Sequence, residues 1–226
     1  MTGIFPEVVF RIFGIPVRDT VISTWVMMAV VMVVLYYLRR IEPEALVMLV
    51  EFILDSVSSV MGRSAEPYLS FLGSLAVFIA GANVIGIVPI VGSPTRGINT
   101  PVALALVVFF SVHYFGIRQK GLWGYLGGLA DPIFLLPLEI VGQFSRTIAL
   151  ALRLFGNVLS TEMVIAVLFS LLPLIVPLPL VAFGMLTGTL QAYIFTVLSA
   201  VYVGAAVAAI ELPSALQKKP VTAPPQ

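Results

Sequence analysis

The stretch SRTIALALRLFGNVLSTE, Ser145 to Glu162, decides the class of this chain because it places Arg153 inside an apolar run. Between Ile148 and Pro173, Arg153 and Glu162 alone are charged. A helix that crosses a bilayer needs about 20 residues, so a crossing drawn within that run contains an ionisable side chain. Such a side chain costs about 2.5 to 3.5 kcal/mol on insertion scales and usually pairs, contacts water or has a function. The sequence therefore predicts that Arg153 belongs to an ion path.

The composition indicates a polytopic membrane protein. Of 226 residues, 60% are hydrophobic and 10% charged, against roughly 25% charged in a soluble domain. A net charge of +1 gives no reason to expect nucleic acid as a partner. The chain has no cysteine and one histidine, His113, so we predict no metal site, no cofactor and no catalytic residue. Glu7, Arg11 and Arg18 interrupt the N-terminal apolar runs, and no signal peptide is predicted.

The first third of the chain predicts one crossing helix and one amphipathic helix. Residues 20–38 are uncharged and are followed by Arg39 and Arg40, which predicts a span that ends on the cytoplasmic side and an N-terminus outside. Residues 42–62 carry Glu44, Glu51 and Asp55 on one helical face, with apolar residues over the rest. This pattern is typical of a helix at the membrane surface. A helix docked on protein, with its acidic face outward, is the alternative.

Two further spans are predicted at 68–91 and 99–117. Asn83 lies in the first, where an interhelical hydrogen bond is the expected role. The second is followed by Arg118 and Lys120, which are again basic residues on the inner side. Near that end, His113 is interpreted as an interfacial residue anchored with Tyr114, and a proton relay is the alternative. Residues 121–131, GLWGYLGGLAD, have no apolar periodicity and predict a loop or a short re-entrant segment.

The last third predicts a long helical hairpin. Residues 132–172 and 180–212 are both too long for an upright span. The first has about 40 residues, which as a helix reach about 60 Å, about twice the thickness of the hydrocarbon core of a bilayer. The first helix must therefore break near Pro137 or Gly156, or lie strongly tilted. Three prolines in PLIVPLP, residues 173–179, predict the turn. Residues 213–226 predict a polar cytoplasmic tail. We interpret the whole chain, 1–226, as a single membrane domain. Its predicted fold is all-α and polytopic, with about three conventional spans, a surface amphipathic helix and a long tilted hairpin.

The first hairpin helix carries the charged candidates. Glu139, Arg146 and Arg153 are spaced by heptads and share one face, with Asn157 one turn further on, while Glu162 points to the opposite side. This arrangement is suited to two separate aqueous approaches. The alternatives are an ordinary ion pair between Glu139 and Arg146, and a buried salt bridge of Arg153 that only stabilises packing.

The second hairpin helix carries a polar stripe of Gly184, Gly188, Gln191 and Tyr202. The glycines allow another backbone to approach closely, and Gln191 offers an amide to it. Gln191 is therefore expected beside Arg153 across the hairpin.

Four segments resemble the a subunit of the rotary F-type ATP synthase. They are ALALRLFGN, 149–157; LQAYIFTVLSAVY, 190–202; ANVIGIVP, 82–89; and INTPVALAL, 98–106. The resemblance implies a non-enzymatic stator subunit of a bacterial plasma (inner) membrane. Its partners would be the c-subunit ring, the b subunits of the peripheral stalk, the rest of the synthase and the lipid bilayer. It would couple H⁺ flow to rotation, with Na⁺ left open; a secondary ion-coupled transporter is the alternative function.

The resemblance also implies roles for individual residues. Arg153 would hold a passing c-ring carboxylate ionised and prevent an ion leak, with Asn157 and Gln191 beside it. Glu162 would line the outer half-channel and Glu139 the inner one, and Tyr202 falls in a matching segment. The chain departs from the family pattern at three positions, Gly184 in place of a common histidine, Gly97 in place of aspartate and Ala149 in place of serine, so the outer path must be lined differently.

Overall fold

The computed structural model describes residues 8–12, 15–86, 93–95, 97–129, 134, 136–171 and 177–208. Five helices in these ranges are long and apolar enough to cross a membrane, which confirms the predicted all-α polytopic membrane fold. A short antiparallel hairpin that the sequence did not predict precedes them. The elements are β1 (Val8–Ile12), β2 (Ile15–Arg18), α1 (Asp19–Ile41), α2 (Pro43–Met61), α3 (Glu66–Ile85), α4 (Asn99–Leu129), α5 (Leu136–Leu171) and α6 (Pro177–Ala208).

The amphipathic helix α2 is docked on the protein. Pro43 begins it, at a position where a missing N–H costs nothing, and Gly62 ends it in the left-handed conformation with φ of 65°. Val57 is buried, and Ile53 and Leu54 pack beside it against the core. The acidic residues Glu44, Glu51 and Asp55 are exposed. These contacts are the ones expected for the alternative, a helix docked on protein with its acidic face outward. That α2 lies at the membrane surface stays a prediction.

The predicted loop at 121–131 is wrong over its described part, which is helical as far as Leu129; the alternative, a short re-entrant segment, stays a prediction. Gly121, with φ of 74° and ψ of 167°, interrupts α4 and lets the chain change direction. The following helical segment returns towards the first, so that the ring of Tyr125 lies against Gly116. A side chain at Gly116 would occupy the space that the ring fills. The segment is therefore held by tertiary packing, which its sequence does not reveal as a periodic pattern.

The first hairpin helix, α5, is continuous over 36 residues and therefore about 54 Å long. Of the predicted alternatives, the break at Gly156 is wrong, the break near Pro137 corresponds to the start of α5 at Leu136, and a strong tilt stays a prediction. Pro137 lies in the first turn, where its missing N–H has no helical acceptor to lose, and Gly156 is helical. The predicted turn at 173–179 is too long, because α6 already begins at Pro177 and tolerates Pro179 in its first turn. The polar tail, 213–226, lies outside the described residues.

Helix α6 is the centre of the molecule. It packs against α2, α3, α4 and α5, and half of its apolar window is buried, compared with 11% for α1. The core consists of side chains that α6 shares with α3, α4 and α5, including Leu72, Ile79, Val108, Leu154, Phe195 and Val203. The two helices that carry the candidate ion-path residues thus meet at the most buried part of the fold.

Candidate functional site

Arg153 lies in the middle of α5 on its exposed side. Leu150 and Leu154, its neighbours on the inward face, are 2% and 0% exposed, so the helix turns its apolar face to the core and the arginine away from it. Within the described residues, Arg153 makes no hydrogen bond and no ion pair. The alternative of a buried salt bridge that stabilises packing therefore has no partner in that part of the chain.

The surface around Arg153 is shallow. Small residues on the same side of α5, all of them exposed, surround it: Ser145, Ala149, Gly156 and Ser160. A methyl group added at Gly156 would meet no atom of the chain within 4 Å. Leu152 is 54% exposed beside the arginine. The chain thus presents a cationic group on an apolar helix face that its own residues leave uncovered.

A charged cluster occupies the end of the hairpin near Glu139. The Nε2 of Gln143 donates to Oε1 of Glu139 at 3.0 Å, and the same oxygen lies 3.7 Å from Nη1 of Arg146. The guanidinium of Arg146 lies over the ring of Tyr202, 5.8 Å from its centroid. The structure thus brings together Glu139, Arg146 and Tyr202. Both charged side chains are more than one third exposed, so their ion pair contributes about 0 to 1 kcal/mol to stability.

Gln191 is buried in α6, 6% exposed, and its Nε2 has no hydrogen-bond partner among the described residues. Two contacts fix the antiparallel register of the hairpin: Gly184 lies against Thr161, and Arg146 against Tyr202. This register makes Gln191 level with residues 154–157, adjacent to Arg153 along the helix. An unpaired buried amide costs about 1 to 3 kcal/mol. The amide is thus an available hydrogen-bond donor at the level of the arginine.

Asn157 and Glu162 lie beyond Arg153 on α5, and both are half-buried. Between them, the hydroxyl of Thr161 donates to the backbone oxygen of Asn157 at 2.9 Å. A methyl group added at Gly184 would lie 2.9 Å from Cγ2 of Thr161. The glycine that replaces the family's common histidine is therefore a point of close helix contact, and a larger side chain there would need α5 or α6 to shift.

A buried polar network lies on the same half of the hairpin. Nδ2 of Asn83 donates to the backbone oxygen of Gly188 at 2.8 Å, which confirms the predicted interhelical hydrogen bond. The hydroxyl of Thr95 donates to Oδ1 of Asn83 at 3.5 Å and is 2.9 Å from the hydroxyl of Ser93. The Ser93 hydroxyl also donates to the backbone oxygen of Ala82 at 3.3 Å. Sequence reasoning missed Ser93 and Thr95, although two small hydroxyl residues around a proline are a signal for local hydrogen bonding.

An open apolar groove lies on the other side of α6. It has a volume of about 580 Å³ and is bordered by α1, α2, α3 and α6, with Met27, Val31, Phe52, Ala80 and Tyr193 in its walls. Its surface is almost wholly hydrocarbon. Helices α1 and α3 touch at its edge, where a methyl group at Gly81 would lie 2.8 Å from Cγ2 of Val31.

Comparison with known proteins gives a consistent result. The family model described as "ATP synthase A chain" matches residues 21–204. A protein of Bradyrhizobium sp. (strain BTAi1) called ATP synthase subunit a 2 is 44% identical over 209 residues, which are 89% of this chain and 94% of that protein. The ATP synthase subunit a 2 of Acaryochloris marina is 40% identical over 197 residues, 83% of this chain and 84% of that protein. The ATP synthase subunit a of Moorella thermoacetica is 32% identical over 211 residues, 90% and 97% of the two chains.

Proposed function

The chain belongs to the ATP synthase A chain family, and from that premise we propose that it is the ion-translocating stator subunit of a rotary F-type ATP synthase. It is an integral membrane subunit of the Fo sector, in a membrane of the bacterial plasma membrane type. In the proposed function it forms two half-channels against a c-subunit ring and couples H⁺ flow to rotation. The family match favours this function over a secondary transporter.

The observation that carries the proposal is the environment of Arg153. A guanidinium keeps its proton at every working pH, so it cannot relay protons. It can act as a permanent counter-charge, because a cation within about 4 to 6 Å favours the ionised form of a carboxylate. Arg153 is exposed on an apolar helix face and has no acidic partner among the described residues. The passing carboxylate of a c subunit is the partner that would fit this surface.

The remaining candidate residues support two separate access routes. Glu139, Arg146 and Tyr202 would belong to the inner route, since they form one exposed cluster. Glu162 and Asn157 would belong to the outer route, on the half of the hairpin where buried polar groups link α3 to α6. Gln191, level with the arginine, would offer its unpaired amide between the two.

Partners and orientation complete the proposal. The exposed face of α5 around Gly156 would meet the c ring, and the apolar groove beside α1 would accept a membrane helix of a b subunit. The hairpin would lie tilted and α2 at the membrane surface, within one membrane domain. Arg39 and Arg40 end α1, so the N-terminus would be outside and the C-terminus cytoplasmic. Since the chain has no cysteine, a single cysteine placed beside Arg40 would report its side by labelling of intact cells.

The test of the function is Arg153→Ala in the assembled synthase. We expect ATP synthesis driven by an ion gradient to be lost, because the c-ring carboxylate would have no counter-charge at the stator. Arg39→Ala, at another exposed arginine, is the matched control and should synthesise ATP normally. Normal synthesis by the Arg153→Ala complex would overturn the proposal. Assays with and without Na⁺ decide which ion is carried.

A further inference from the structure

A buried tyrosine lies near the cluster of Glu139, Arg146 and Tyr202, which we call the inner cluster. The proposed function gives this tyrosine no role. Tyr125, on the segment of α4 that follows Gly121, is 5% exposed. Its ring lies against Gly116 and makes an edge contact with His113, with 5.9 Å between the ring centroids. Its hydroxyl oxygen is buried and has no hydrogen-bond partner in the part of the chain that the structure describes. An unpaired buried hydroxyl costs about 1 to 3 kcal/mol, so its retention in this position calls for a partner.

Glu139 supplies one side of the missing interaction. The rings of Phe109 and Phe144 are in contact, with 5.7 Å between their centroids, four residues before His113 on α4 and five residues after Glu139 on α5. Burial, and then the negative charge of Glu139, raise the pKa of Tyr125 above its ordinary value of 10.0. The phenol therefore keeps its proton and can act as a donor. One carboxylate oxygen of Glu139, Oε1, is already bonded to Gln143 and faces Arg146. A carboxylate has acceptor sites on both oxygens, so it can take a further donor.

His113 supplies the other side. Its Nδ1 lies 2.7 Å from the backbone oxygen of Phe109. A carbonyl oxygen only accepts, so Nδ1 carries the hydrogen, and in the neutral ring Nε2 is then an acceptor. The ring packs between Phe109 and Tyr125. The interfacial position of His113 and its alternative, a proton relay, both stay predictions.

We propose that Tyr125, His113 and Glu139 bind one water molecule that extends the inner ion path to the folded-back segment of α4. The water accepts from the Tyr125 hydroxyl and donates to Nε2 of His113 and to the Glu139 carboxylate. Three polar partners are the usual number for a buried water. Tyr125 and His113 are positioning residues in this inference, which rests on the proposed function. They hold the water against the carboxylate, whose Oε1 also lies 3.7 Å from Nη1 of Arg146.

The test begins with Tyr125→Phe in the assembled synthase, because phenylalanine keeps the ring on Gly116 and removes the hydroxyl alone. One hydrogen bond corresponds to about 0.5 to 1.5 kcal/mol, so we expect ATP-driven ion pumping, normalised to the amount of complex, to fall about threefold. Its pH profile, varied on the inner side, should change. Tyr114→Phe is the matched control, since Tyr114 is 57% exposed on the same helix. Wild-type rates and an unchanged pH profile in Tyr125→Phe would overturn the inference.

Two further comparisons separate this role from mere packing. His113→Gln keeps a polar acceptor and should pump close to wild type, whereas His113→Leu should behave as Tyr125→Phe does. In a Glu139→Gln background, Tyr125→Phe should add little, because residues of one network are not additive. Fully additive losses would contradict a shared water. If Arg153→Ala abolishes synthesis while Tyr125→Phe pumps normally, this inference fails and the proposed function stands; if Arg153→Ala synthesises normally, the proposed function itself fails.

Discussion

The two ends of the α5–α6 hairpin are built from different interactions. Near Glu139, charged side chains meet each other and remain more than one third exposed. Near Gly188, the hydrogen bonds of Asn83 and Thr95 are made by neutral groups, and Thr95 is fully buried. A buried, satisfied polar network rigidifies its surroundings, whereas an exposed ion pair is screened by water. The half near Gly188, which the proposed function makes the outer one, is therefore fixed by packing, and the half near Glu139, the proposed inner one, is exposed and adjustable.

In the proposed function, this difference suits an ion path that must not leak. Arg153 lies between the two ends, and neither network includes it. If the outer end is fixed, the distance from α3 to α6 cannot widen to let ions pass beside the arginine. The inner end can stay wet without that risk, provided the arginine separates it from the outer route. The comparison is tested by changing one group at each end and comparing the losses of stability.

The largest loss is expected for Gly188→Val. A methyl group at Gly188 would lie 2.8 Å from Cβ and 3.1 Å from Cγ of Asn83, so the branched side chain must force α3 and α6 apart. Overpacking of this kind costs about 3 kcal/mol. The measurement is the melting temperature of the subunit in the purified complex. Gly73→Ala, in α3, is the control, because a methyl group there meets nothing within 4 Å of this chain; equal losses at both glycines would contradict the comparison.

A smaller loss is expected for Asn83→Leu. Leucine has a similar size but leaves the Thr95 hydroxyl without its Oδ1 acceptor and removes the bond to Gly188. The two lost hydrogen bonds cost about 0.5 to 1.5 kcal/mol each, so we expect about 2; the Thr95 hydroxyl keeps the Ser93 hydroxyl at 2.9 Å as a partner. Denaturant unfolding of the subunit in detergent measures it. Ser74→Ala, which removes an exposed hydrogen bond within α3, should cost much less; a loss for Asn83→Leu no larger than that of Ser74→Ala would mean that the outer network is not a structural anchor.

The sequence predicted the features that depend on local pattern or on the cost of burying a charge. Uncharged runs predicted the membrane spans. Heptad spacing predicted that Glu139 and Arg146 lie on the same face of α5, where they form an ion pair. A single amide within a span predicted the interhelical hydrogen bond of Asn83. Each of these follows from one helix and its environment. The free-energy cost of placing a charged side chain at membrane depth identified Arg153 as the central candidate without any knowledge of its neighbours.

What the sequence did not predict depends on tertiary contacts. The helical segment after Gly121 has no apolar period, and it is held by the ring of Tyr125 on Gly116. Ser93 and Thr95 lie between α3 and α4 and are buried, 4% and 0% exposed. Pattern alone could not predict this burial, because small hydroxyl residues occur mostly in exposed turns.

The smallest loss of stability is expected for Glu139→Gln at the inner end. Glutamine keeps an oxygen for Gln143 and removes the charge that faces Arg146. An ion pair this exposed contributes about 0 to 1 kcal/mol to stability. Salt at about 1 M shortens the screening length to about 3 Å. The difference in unfolding free energy between wild type and Glu139→Gln should therefore be smaller still in about 1 M salt. Ion pumping should nevertheless fall, because a carboxylate of the inner route is lost. If thermal unfolding instead showed a loss of about 2 kcal/mol or more that salt did not reduce, the inner cluster would be a desolvated anchor like the outer one. The two ends would then differ in charge and not in rigidity, and the leak would have to be prevented by Arg153 alone.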